Sequence, residues 1–157
     1  VQASATAAVL VSLLVFAIVR SPGLLVLLLI PLVLAGSLTT ATGTLAGLPY
    51  NFANVLVLPL IIGIGIDSGI HLAFRAVKTG DALAAVRGPT GRAVLFSALT
   101  TIASFGSLVV SDHRGTASMG ALLTIGMVWV LATMLLVLPP MAAVLYGQRR
   151  TPKGRPA

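Results

Sequence analysis

Leu60-Ile61-Ile62-Gly63-Ile64-Gly65-Ile66-Asp67-Ser68-Gly69-Ile70-His71-Leu72-Ala73-Phe74 places one carboxylate in the middle of a run apolar enough to cross a bilayer. A transmembrane helix needs roughly 20 such residues, and residues 55–74 supply them. Asp67 falls just past the midpoint, close to the bilayer centre at about 1.5 Å rise per residue. An Asp at that depth costs on the order of 2.5–3.5 kcal/mol on insertion scales. The chain has only three acidic residues, Asp67, Asp81 and Asp112, and one of them occupies the most costly position. Gly63 and His71 lie four residues to either side and share its helix face. Gly65 and Gly69 form a small-xxx-small pair that admits a neighbouring backbone. The expectation is a helix that packs through Gly63, Gly65 and Gly69 and points its acid into a bundle.

The rest of the composition agrees with a membrane setting. The chain is 57% hydrophobic and 8% charged, with a mean hydropathy of +1.08, more apolar surface than a soluble domain of 157 residues can bury. The net charge of +7 does not point to nucleic acid, because the basic residues sit between apolar runs and at the C-terminus, as membrane topology requires. The absence of cysteine excludes disulfides and thiolate metal sites. Asp112-His113-Arg114 offers no metal spacing, so neither metal nor cofactor is expected.

Outward from the acidic run, apolar segments predict five spans, at about residues 3–19, 24–44, 55–74, 93–110 and 119–146. Together they form one all-α integral membrane bundle over residues 1–148. Arg20-Ser21-Pro22-Gly23 closes the first span with a charge and a turn. Pro31 is a kink site in the second, which continues through the Thr/Gly segment 39–44. Leu48-Pro49-Tyr50-Asn51 makes a turn, with Tyr50 at interface depth, and Asn51 and Asn54 read as turn and helix-start residues. Beyond Arg75 and Lys78, Asp81 caps a short interfacial helix over residues 82–87, which Gly88-Pro89-Thr90-Gly91 breaks. The fourth span carries Ser97, Thr100, Thr101 and Ser104 at helical spacing. Trp129 reads as core or lipid-facing bulk in the fifth, whose end Pro139-Pro140 bends. Residues 149–157 form a disordered basic tail.

Nine of the ten basic residues fall on one face of this topology and Arg114 alone on the other. The positive-inside rule then puts the N-terminus outside and the C-terminus in the cytoplasm. The chain starts at Val1 without a basic n-region, so it does not read as a signal peptide and is expected to be a piece of a longer protein.

Several segments carry a family resemblance. Asn51-Phe52-Ala53-Asn54, Leu58-Pro59-Leu60, Gly63-Ile64-Gly65-Ile66-Asp67-Ser68-Gly69-Ile70-His71, the stretch from Ser97 to Leu108, and Leu123-Thr124-Ile125-Gly126-Met127 together resemble resistance–nodulation–division (RND) exporters. They are closest to the MMPL type and its hopanoid-biosynthesis branch. Ser68 stands where many MMPL members have Tyr, which agrees better with the hopanoid branch. The resemblance implies that this five-helix bundle is part of a larger, two-half RND-type transmembrane domain. It implies proton-driven lipid export from the bacterial inner membrane, with Asp67 as the intramembrane acid. The implied partners are a lipid substrate, the N-terminal half and periplasmic domains of the same transporter, surrounding membrane lipids, and a second copy of the protein.

For the site, Asp67 reads either as a proton carrier or as a hydrogen-bonded tether between helices. His71 and Ser68 on its helix, and Ser97, Thr101 and Ser104 on the fourth span, complete the candidate relay; the hydroxyl stripe reads equally as helix packing. No enzyme is expected, since no second acid lies in any span and no Ser–His pair shares its depth. The alternatives are a lipid-sensing or scaffold bundle of the sterol-sensing kind, for which titration of Asp67 would be dispensable, and an auxiliary subunit of protein export.

Overall fold

In a computed structural model, residues 22–48 and 52–146 are described. The expected first span and the basic tail lie outside them, as does the turn at 49–51. The described residues are helical apart from short turns, with no strand. The elements are α1 (Pro22–Leu45), α2 (Phe52–Val55), α3 (Val57–Thr79), α4 (Ala82–Arg87), α5 (Pro89–Ser107) with a 3-10 turn over Leu108–Val110, α6 (Arg114–Leu136) and α7 (Leu138–Tyr146). Four helical stretches are long and apolar enough to cross a membrane: Pro22–Leu45, Val57–Thr79, Pro89–Val110 and Arg114–Tyr146. The protein is an all-α membrane bundle.

α1 runs unbroken past Pro31 and through the threonine-rich segment. It can do so in lipid because the hydroxyls bond their own helix. Ser37 donates to the Val33 carbonyl at 2.9 Å, Thr39 to Ala35 at 2.6 Å, Thr40 to Gly36 at 2.9 Å and Thr44 to Thr40 at 2.8 Å, which leaves few polar atoms for the bilayer to solvate. α3 is longer than its apolar core suggests, carrying Arg75 and Lys78 inside the helix and ending at Gly80, whose φ of 67° is left-handed. Asp81 caps α4 as expected, its Oδ1 accepting from the Ala84 amide at 2.9 Å. Gly88 ends α4, but Pro89 does not prolong the break. It opens α5, since a proline at the first helical position loses no hydrogen bond. The fifth span breaks at Val137. The cause is Pro139 and Pro140, which offer no amide to the carbonyls one turn back.

α6 is the hub, packed against α1, α3, α5 and α7. Leu27, Leu28 and Leu32 of α1, Ile61 and Leu72 of α3, and Leu123, Met127 and Met134 of α6 are fully buried. Two polar tethers cross this core. The buried Asn54 donates from Nδ2 to Ser118 Oγ at 2.8 Å, and Trp129 donates from Nε1 to Thr42 Oγ1 at 3.0 Å. Both residues do more than their sequence positions suggest: Asn54 joins α2 to α6, and Trp129 is a donor as well as bulk. Interhelical hydrogen bonds in membranes are worth about 0.6 kcal/mol, at most about 1.7. Ser118→Ala, which removes one partner of a buried amide, should therefore lower stability by about 1 kcal/mol in detergent-unfolding titrations. No change would mean that water replaces the hydroxyl.

Candidate functional site

α3 presents two opposite faces. Val57, Ile61, Gly65, Ile66, Gly69, Leu72, Ala73 and Ala76 are buried. Leu60, Gly63, Asp67, His71, Phe74 and Lys78 are exposed. The expectation that Asp67 points into the bundle is therefore corrected: among the described residues it faces outward, its side chain 82% exposed. The reason is angular. Gly65 and Gly69 are each two residues from Asp67, about 200° round the helix, so the face that packs through them excludes the acid.

Those two glycines sit in tight contact. A Cβ at Gly65 would collide with Leu32 Cδ2, and one at Gly69 would lie 2.9 Å from Leu28 Cδ2 and 3.0 Å from Met134 Cε. Gly63 differs, since a Cβ there would meet nothing within 4 Å. It belongs to the acid's face and packs against nothing described.

Asp67 is the eleventh of the 23 residues of α3, so the span holds it at mid-depth. One turn on, His71 Nε2 lies 3.8 Å from Asp67 Oδ1, with its side chain 67% exposed. That separation is too long for a hydrogen bond. Asp67, Ser68 and His71 form one wall of a cleft of about 480 Å³, and Pro89, Thr90, Ala93, Val94 and Ser97 of α5 form the other. The volume has room for a file of waters.

Of the candidate relay, the cleft brings together Asp67, Ser68, His71 and Ser97. It does not include Thr101 or Ser104. Thr101 donates to the Ser97 carbonyl and Ser104 to the Thr100 carbonyl, each at 2.9 Å. Thr90 is the lining residue that sequence reasoning missed, because it was assigned to a helix break. The signal was present: a helix started at Pro89 puts Thr90 seven residues from Ser97, on the same face.

α5 is also the least covered span. Only 11% of its apolar window is buried, against 39% for each of the others, and Ser97, Thr100, Ser104 and Ser107 are exposed on it. Thr100, Ser104 and Ser107 donate within their own helix and so tolerate lipid, but an exposed acid at membrane depth does not suit a lipid-facing surface.

The fold and the cleft define a polytopic membrane bundle with a titratable group at the middle of a span. Residues 2–156 match the MMPL family, and the chain belongs to it. It is 40% identical over 141 residues to the hopanoid transporter HpnN of Rhodopseudomonas palustris, covering 88% of this chain and 16% of that protein. It is 36% identical over 129 residues to HpnN of Burkholderia multivorans, covering 81% of this chain and 14% of that protein. The putative membrane protein MJ1562 of Methanocaldococcus jannaschii is 27% identical over 152 residues, covering 91% of this chain and 39% of that protein. The chain thus spans well under half the length of these relatives. No solved structure matches it.

Proposed function

We propose that this bundle is the proton-coupled half of a membrane domain that exports lipid, a hopanoid or a related hydrophobic lipid, from the inner membrane. The observation that carries the reading is Asp67, a carboxylate at mid-span on an uncovered face, opening into a cleft with His71, Thr90 and Ser97. A carboxyl group there changes charge on taking up a proton. Its charged form favours water and polar partners, its neutral form a drier packing. Proton binding and release then shift the bundle between two arrangements. The similarity to two proteins named hopanoid transporters supports the choice of cargo. An N-terminal half and periplasmic domains complete the transporter, and residues 1–148 serve as one domain within it.

The test is export in vesicles holding the full-length protein and a labelled hopanoid. Collapsing the proton gradient with an ionophore should stop lipid movement; export that continues unchanged would defeat the proposal.

The same reading orients the chain. Arg75, Lys78, Arg87 and Arg92 lie on the cytoplasmic side and His113 on the periplasmic side. A cysteine at His113 should react with an impermeant thiol reagent in intact cells and a cysteine at Gly80 should not. Labelling of the Gly80 variant in sealed cells would reverse the orientation.

A further inference from the structure

A second feature lies at the far end of α3. Arg75 and Lys78 in its last turns, Arg87 at the end of α4 and Arg92 in the first turn of α5 are all exposed. Among the described residues none of the four has an ion-pair partner; the one acid–base contact is that of Asp67 with His71. The one carboxylate at this end, Asp81, accepts the Ala84 amide.

Depth and shape are both constrained. At about 1.5 Å per residue, Arg75 lies about 12 Å and Lys78 about 16 Å along the axis from Asp67. A hydrocarbon half-thickness of about 15 Å then puts their charges at the level of lipid phosphates, which long basic side chains reach readily. α4 is joined to the two spanning helices only through Gly80-Asp81 and Gly88 and packs against α3, α5 and α7, which keeps it near that level. Ala85 turns to the core, whereas Leu83 is 51% exposed. Four exposed cations against one carboxylate at this end of the bundle, with an exposed leucine between them in sequence, complement a surface that is anionic outside and apolar just beneath.

We propose that the corner made by the end of α3, α4 and the start of α5 binds the headgroups of acidic phospholipid, with Leu83 in the acyl boundary. It is independent of the transport reading. A positive charge near an acidic leaflet is worth roughly a fivefold preference, attenuated by salt.

The test uses the full-length protein in vesicles of equal phosphatidylglycerol and phosphatidylcholine, with a photo-crosslinking residue replacing Leu83. Adducts should favour phosphatidylglycerol by about fivefold or more, and the preference should shrink in molar salt. In the Arg87→Gln/Arg92→Gln protein, which keeps Arg75 and Lys78 to hold the topology, the preference should drop severalfold towards the vesicle ratio. An Arg149→Gln/Arg150→Gln protein, losing the same charge from the tail, should keep the preference. Adducts at the vesicle ratio in the parent protein overturn the proposal, and so does a preference that follows the tail rather than the corner. If the corner variant fails to insert, the parent ratio and its salt dependence decide.

Discussion

Asp67→Asn should yield a protein that reaches the membrane in at least normal amount and exports lipid at background level. Asn keeps the size and hydrogen-bonding capacity of Asp and loses only the titration. On the insertion side the change is favourable, because an ionised Asp at mid-span costs on the order of 2.5–3.5 kcal/mol. On the functional side it is fatal to a relay. Driving a two-state bundle from 1:99 to 99:1 takes about 5.5 kcal/mol of differential affinity, and an amide that binds no proton supplies none. A tether predicts the opposite outcome, since an interhelical hydrogen bond worth about 0.6 kcal/mol can be made by Asn as well. The neighbours should follow the cleft. His71→Ala should reduce export and alter its pH profile, Ser68→Ala and Ser97→Ala should be milder, and Thr101→Ala should be neutral because its hydroxyl bonds the Ser97 carbonyl. Export and its pH dependence, normalised to expression, are the measurements. Normal export by the Asn protein would remove the relay and favour a lipid-sensing bundle.

What could be read from the chain beforehand, and what could not, divides along physical lines. Hydropathy pointed to the four long apolar helices of the described residues because lipid demands long uncharged runs, and the Asp81 cap and the bend at Pro139-Pro140 were legible because each rests on local chemistry. The acid's position at mid-span was legible from counting alone. Its direction was not. Helical periodicity places Gly63, Asp67 and His71 on one face and Gly65 and Gly69 on another, but it does not say which face meets α1 and α6. That is settled by Leu28, Leu32, Val130 and Met134, which approach the second pair and lie far away in sequence. The partners of Asn54 and Trp129, 64 and 87 residues distant, were hidden for the same reason. Thr90 was missed through turn chemistry, because Gly88-Pro89 ends one helix and starts the next at once.

The outward direction of Asp67 makes a second large effect testable on adjacent glycines. Gly65→Leu should fail to accumulate, because even its Cβ collides with Leu32 and comes within 3.2 Å of Val130, and overpacking of a formed core costs about 1–3 kcal/mol or more. Gly63→Leu has open space around it in this chain and lengthens the apolar run, so it should insert and accumulate normally. Its effect on function then reports what lies opposite. If the face of Gly63, Asp67 and His71 meets lipid, a leucine there is harmless. If it meets an equivalent half, as the exposed acid and the scant burial of α5 argue, the leucine stands in the seam beside the acid and holds the halves apart. The Gly63→Leu protein should then lose export by about tenfold or more while keeping full expression, since small residues at such seams set how closely backbones approach. The five-helix piece expressed alone should likewise export nothing until the rest of the transporter is supplied. Normal export with Gly63→Leu would leave the acid facing lipid or water, and the reason for burying its charge at mid-membrane would have to be sought within this half alone.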